Sequence, residues 1–188
     1  KRVGNIIQTL KDNGLYENTI IIFAGDNGLA VGQHGLMGKQ NVYEHSVGVP
    51  LMIKAAAQHT GKKTADLCYL IDVFPTLCDM LQLPVPQSVD GISLLSSLDG
   101  KEPVRDYLYY SYMDNQRGIS DGTWKLIEYH VNGKRTTQLF NLKNDPWERN
   151  DLSGQKKYEK TIQRLREKMA EEQKRTNDTS VFWNNFSY

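Results

Sequence analysis

Asp26, Asn27, His34 and Lys39 fall within one short polar stretch, and their types suggest chemistry on an anion. Asp26 offers a carboxylate and Asn27 a neutral amide oxygen. That pair suits a hard cation such as calcium, which takes about six to eight oxygen ligands. Two residues fill only part of such a shell, and no other Asp or Glu cluster in the sequence has a comparable setting at the end of a strand. The run Gly32-Gln33-His34-Gly35-Leu36-Met37-Gly38-Lys39 then places an imidazole and an ammonium on a glycine-rich backbone that an anion can approach closely. Taken singly, each feature has a plainer reading. Asp26-Asn27-Gly28 uses favoured turn residues, a lone histidine is usually a structural hydrogen-bonding group, and a lone lysine is usually solvated. Their coincidence beside a candidate cation site is what points to a functional site.

Other chemistries fit less well. A phosphate-cradling loop needs Gly, four residues, then Gly-Lys-Ser/Thr; here Gln33 stands at the first position and Gln40 at the last. No Gly-x-Ser-x-Gly elbow of a serine hydrolase occurs. Lys and Arg total 23 against 22 Asp and Glu, so no one-signed field recruits nucleic acid or an anionic membrane, and neither is expected as a partner. No apolar stretch approaches the about 20 residues that span a bilayer. Cys68 and Cys78 do not suggest a disulfide framework.

The elements that must position these residues are legible in outline. Val3, Ile6, Ile7 and Leu10 recur at helical spacing before Asn13-Gly14. The sequence thus opens inside a helix, and the chain is expected to be a piece of something longer. Thr19 to Ala24 is a continuous apolar, β-branched run, expected to be a strand buried on both faces in a parallel sheet. The long polar loop from Gly25 to Gly48 follows its carboxyl end, where open α/β sheets place ligand sites, and the next strand starts near Val49. Asp72 is expected to cap a helix over 73–81, and Leu83 to Asp90 reads as a linker. From Asp106 the pattern changes to short Tyr-, Trp- and Ile-containing runs at 107–112, 118–120, 124–130 and 136–140. Asp121-Gly122 and Asn132-Gly133 between them are hairpin signals, so an antiparallel sheet is expected. Tyr158, Ile162, Leu165 and Met169 stripe a charged helix over 156–174. The expected fold class is α/β, with residues 1–100 in one domain and an antiparallel subdomain with a closing helix over 101–188.

Three runs carry a resemblance to a known family: Asn18 to Gly28, Gly32 to Lys39 and Tyr43 to Pro50. They resemble the late strand-loop-strand segment of the type I sulfatases of the alkaline-phosphatase-like superfamily. The likeness continues through Ile71 to Leu77, Arg117 to Ile119, Trp124 to Ile127 and Leu139 to Glu148. It implies the end of that superfamily's mixed sheet, and hydrolysis of a sulfate ester of a small molecule or glycan. It further implies that Asp26 and Asn27 are two calcium ligands, that Lys39 contacts the sulfate, and that His34 reaches the sulfate or leaving-group side. An exported, periplasmic or extracellular setting is implied by the same likeness.

The pattern is incomplete here. The family's formylglycine arises from Cys or Ser in Cys/Ser-x-Pro/Ala-x-Arg, and neither Cys68 nor Cys78 begins such a run. The paired aspartates that supply the other calcium ligands are also missing. The expectation is therefore a carboxy-terminal part of a sulfatase, inactive alone and weak at best in calcium binding. The rival readings are a phosphodiesterase or phosphonate hydrolase of the same superfamily, and a non-catalytic binding or scaffold module. Glu44 and His45 are expected to be hydrogen-bonding struts, Arg117 a surface strand residue, and Tyr109, Tyr110, Tyr112, Trp124 and Trp147 core and edge aromatics.

Overall fold

The computed structural model describes residues 2–55 and 61–180. In chain order these form helix α1 (Arg2–Asp12), strands β1 (Ile21–Ala24), β2 (Ala30–Val31) and β3 (Met37–Gly38), the one-turn helix α2 (Glu44–Val47) and strand β4 (Leu51–Lys54). Helices α3 (Val73–Met80) and α4 (Leu95–Leu98) come next, then strands β5 (Leu108–Tyr112), β6 (Gln116–Ser120), β7 (Trp124–Val131) and β8 (Lys134–Asn141), and helix α5 (Glu159–Arg175). Two compact units result. One comprises Lys1–Gly25, Pro50–Ala65 and Tyr69–Val104; the other comprises Asp26–Val49, Asp66–Cys68 and Arg105–Tyr188. The polar loop, placed with residues 1–100 on sequence grounds, groups with the second unit.

In the first unit β1 pairs antiparallel with β4, Ile21 opposite Lys54 and Ala24 opposite Leu51. The parallel setting expected for β1 is not the pairing seen, and its residues are half-buried or exposed. The physical reason is that an apolar run reports the need for burial, not the direction of its neighbour. Val3 and Ile7 of α1 line an apolar cavity with Ile21, Phe23, Met52 and Ile53. Lys54 ties the helix-to-strand connection by donating to the carbonyls of Tyr16 and Thr19, at 2.6 and 3.1 Å, with its ammonium 4.4 Å above the Tyr16 ring. Asp72 makes no N-cap bond to α3. Its two oxygens instead accept the N–H groups of Tyr69 and Ile92, because a buried carboxylate must be satisfied by whichever donors surround it.

The second unit is built on a four-stranded antiparallel meander in the order β5-β6-β7-β8. Both faces are covered, and period-two alternation sorts the residues between them. On one face Tyr109, Ile119, Leu126 and Leu139 pack against Ile162, Leu165 and Met169 of α5. On the other, Ile127 and Phe140 pack against Val42 and Tyr43 of the polar loop. The adjacent apolar pairs Leu126-Ile127 and Leu139-Phe140 are the sequence trace of this two-sided burial. Asn132 and Gly133, with φ of 52° and 73°, make the β7–β8 turn that Asn-Gly predicts. Asp121 Oδ1 accepts the N–H groups of Thr123 and Trp124 at the β6–β7 turn. The β5–β6 turn bends at Met113, φ 47°, without a glycine to announce it.

Candidate functional site

The polar loop gathers three of the four expected site residues. Lys39 Nζ lies 3.5 Å from Asp26 Oδ2, with the two side chains 52% and 90% exposed. Asn27 Nδ2 donates to the Lys39 backbone carbonyl at 3.3 Å, so Lys39 is contacted by Asp26 through its side chain and by Asn27 through its main chain. The next residue locks this group onto α2: the Gly28 N–H donates to the Ser46 carbonyl at 2.8 Å. A Cβ on Gly28 would sit 1.9 Å from the His45 carbonyl oxygen, so the close approach requires glycine.

His34 is held apart from these contacts. Its backbone is left-handed, φ 54°, in the turn Gln33–Gly35, and its ring stacks on Tyr43 at 4.0 Å between centroids. Nε2 lies 3.2 Å from the Trp147 carbonyl, in reach to donate to it. That leaves Nδ1 as the ring atom free of this bond. His34, His45, Glu44, Trp147 and Arg149 line a cavity of about 670 Å³. Trp147, expected among core or edge aromatics, stands 68% exposed at this cavity. His45 Nε2 is buried without a hydrogen-bond partner among the described residues. Burial first, then the neighbouring His34 and Lys125, hold the His45 pKa below its ordinary value.

Beneath α2 lies a cluster that sequence reasoning missed. Lys125 of β7, fully buried, places Nζ 2.9 Å from Glu44 Oε1 and 3.0 Å from Glu148 Oε1. The second contact is an ion pair whose angle is not that of a hydrogen bond. Glu148 Oε2 accepts the Glu44 N–H, and the ammonium lies 5.1 Å from the Tyr110 ring centroid. Burial raises the Glu148 pKa, a rise that the Lys125 charge only partly offsets. Glu44 is thus a strut, as its sequence setting suggests. The signal for Lys125 is weak, because a lysine on a strand ordinarily reads as solvent-facing; only Leu126-Ile127 beside it hints that both faces are covered.

Arg117 is not a surface residue. It is buried and bonds Asp178 twice, Nε to Oδ2 at 2.7 Å and Nη2 to Oδ1 at 3.1 Å, while Tyr109 donates to the same carboxylate at 2.6 Å. The correction comes from the cover that α5 and the residues after it give this face. On the same face Arg166 of α5 donates to Glu128 Oε1 at 2.7 Å.

The chain as a whole has known counterparts. A family model described as N-sulphoglucosamine sulphohydrolase, C-terminal, matches residues 32–175. The chain belongs to this sulfatase family. It is similar to the N-acetylglucosamine-6-O-sulfatase of Bacteroides thetaiotaomicron, 29% identical over 191 aligned positions that cover 95% of this chain and 34% of that protein. Among solved structures, one of a protein in complex with its substrate D-glucosamine-2-N,6-O-disulfate matches at a TM-score of 0.84. It is 28% identical and covers 96% of this chain and 39% of that one. The phosphonate monoester hydrolase of Agrobacterium radiobacter matches at 0.74 with 27% identity, over 89% of this chain and 37% of that one. The sulfatase chain described here therefore spans about a third of the length of the curated relatives it matches. The fold is that of the alkaline-phosphatase-like sulfatases, with the α/β segment preceding the antiparallel sheet and its helix.

The sulfatase family implies calcium, and the residues present fit part of a calcium shell. Asp26 and Asn27 supply hard oxygen donors, and the Asn27 nitrogen is turned to the Lys39 carbonyl, which directs its amide oxygen elsewhere. Among the described residues no group of three or more His, Cys, Asp or Glu is placed to hold a metal. No helix among them is long and apolar enough to cross a membrane.

Proposed function

We propose that this chain contributes the metal- and sulfate-binding half of a sulfatase active site, with Asp26 and Asn27 as calcium ligands and Lys39 as the sulfate contact. One observation supports the reading: on one loop the Lys39 ammonium lies 3.5 Å from the Asp26 carboxylate, and the Asn27 amide bonds the Lys39 backbone carbonyl at 3.3 Å. Bound calcium would act as a Lewis acid on the sulfate oxygens. Lys39 adds a fixed positive charge where negative charge accumulates as the S–O bond to the leaving alcohol breaks. Asp26 orients Lys39 through their ion pair, and Asn27 fixes the backbone of Lys39. Formylglycine, the family's nucleophile, is assigned outside these 188 residues, because neither cysteine here stands in its motif. His34 is read as bordering the leaving-group side through Nδ1. The cavity beside it, with Trp147 exposed, suits a sulfated sugar. A location outside the cytoplasm accords with the family likeness.

The experiment is turnover of an aryl sulfate and of 6-O-sulfated glucosamine by the complete gene product that contains this chain. Lys39→Ala is expected to lower kcat by about 100- to 1000-fold, and the 188-residue chain alone is expected to show no turnover. Unchanged kcat in Lys39→Ala would remove Lys39 from the site. The likeness to a phosphonate monoester hydrolase supports a second reading, phosphonate or phosphodiester hydrolysis. A carboxylate-amide oxygen pair favours calcium over transition metals and hence the sulfatase reading. A higher kcat/KM on a phosphonate monoester with manganese than on a sulfate ester with calcium would reverse the preference.

A further inference from the structure

The buried Lys125 cluster is placed to control the site from beneath. Lys125 and Ile127 share the sheet face that the polar loop covers, and Leu126 and Glu128 share the face that α5 covers. A fully buried ammonium is costly to desolvate, and apolar residues in place of the whole Lys125, Glu44 and Glu148 cluster would commonly leave stability unchanged or improved. What an apolar residue cannot do is grip two carboxylates from separate segments and set their orientation. Lys125 holds Glu44, at the start of α2, and Glu148, in the turn after β8. Glu148 in turn accepts the Glu44 N–H, so α2 is fastened by both its side chain and its backbone. The Ser46 carbonyl of α2 receives the Gly28 N–H, and Gly28 directly succeeds Asp26 and Asn27. A continuous chain of contacts thus runs from the start of β7 to the residue that follows the candidate metal ligands.

We propose that Lys125 is a positioning residue for the catalytic loop: through Glu44 and α2 it sets where Asp26 and Asn27 stand. The proposal rests on the assignment of Asp26, Asn27 and Lys39 as the metal- and sulfate-binding groups. The charged and titratable groups facing the cluster are Glu44, Glu148, His45, Tyr110 and Tyr129. With Lys125 replaced by methionine, the Glu44 and Glu148 carboxylates lose the cation between them, and a proton must take its place. Their geometry, and with it the loop, then becomes dependent on pH.

Two measurements test this. The first is amide hydrogen exchange on the 188-residue chain. Lys125→Met is expected to speed exchange at Gly28 by about tenfold or more while amides of β6, β7 and α5 keep their protection. Where Lys125→Met does not fold, Glu44→Gln, which loosens the same link from its half-exposed side, is read in the same way. Unchanged Gly28 exchange in a folded variant overturns the proposal. The second uses the complete gene product. Lys125→Met is expected to lower kcat for an aryl sulfate more at pH 8 than at pH 5, and Lys125→Met/Glu148→Gln to recover part of the loss at pH 8. A lysine that acts on stability alone would weaken protection in β6, β7 and α5 together with Gly28, and would leave kcat per folded molecule unchanged at both pH values. A wild-type gene product without sulfate-ester turnover would defeat the proposed function and leave the Gly28 exchange to decide the positioning role. An active wild type with unaltered kcat, pH profile and exchange in Lys125→Met would defeat the positioning role alone.

Discussion

Lys39 Nζ and Asp26 Oδ2 stand 3.5 Å apart with both side chains largely open to water. An ion pair so exposed contributes under about 1 kcal/mol to folding, so its place on the loop is better explained by the ligands it is free to take up. Asp26→Ala is expected to leave the unfolding free energy of the chain, read by urea denaturation, within about 0.5 kcal/mol of wild type. In the complete gene product the same change is expected to abolish calcium-dependent turnover. A loss of stability of several times that size would make Asp26 a structural residue instead.

Gly28→Ala tests the seat of the loop. The added Cβ meets a backbone carbonyl, His45 O, at 1.9 Å, and backbone cannot swing aside as a flexible side chain does. Clashes of this kind typically cost about 1–3 kcal/mol. The meander and α5 are expected to remain folded, with far-ultraviolet circular dichroism unchanged, while trypsin cuts after Lys39 markedly faster than in wild type.

Arg117→Met tests the clamp between β6 and the segment after α5. Removing the guanidinium leaves the Asp178 carboxylate, already bonded by Tyr109, without its counter-charge. Breaking a buried pair from one side costs about 3–5 kcal/mol, a loss that urea denaturation resolves directly. Arg117→Met/Asp178→Leu is expected to recover most of it, because neither charge then needs a partner.

Acid should act through the same carboxylate. Burial pushes the Asp178 pKa up, but hydrogen bonds from Arg117 and Tyr109 outweigh it, and the folded value lies below the ordinary 3.8. A depressed carboxylate stabilises the fold above its unfolded pKa and loses that contribution as pH falls through the folded one. The stability gap between wild type and Asp178→Asn is therefore expected to be constant from pH 7 to about 5, then to close below 3.8. Glu128 and Glu148 carry the opposite sign. Burial holds both above 4.5, so their contribution is present below that value and is lost as pH rises through the raised one. Thermal melts of wild type and Asp178→Asn between pH 3 and 7 would reveal the closing gap, or its absence.

Elements whose signals are local could be read along the chain alone. Helical spacing in Val3 to Leu10 and in Tyr158 to Met169, the Asn132-Gly133 turn, and the four strand runs after Asp106 each depend on backbone preferences that a few adjacent residues fix. The family was legible for a related reason: Asp26-Asn27-Gly28 and Gly32 to Lys39 are contiguous, and contiguity survives in one dimension. Relations between segments far apart in the chain emerge only on folding. The partner direction of β1, the two donors that engage Asp72, and the burial of Arg117 beneath the chain beyond α5 are of this kind, as is the grip of Lys125 on Glu44 and Glu148. A charged residue on a strand carries no local mark of which face will be covered. That cover comes from chain tens of residues away, and only the folded packing places it.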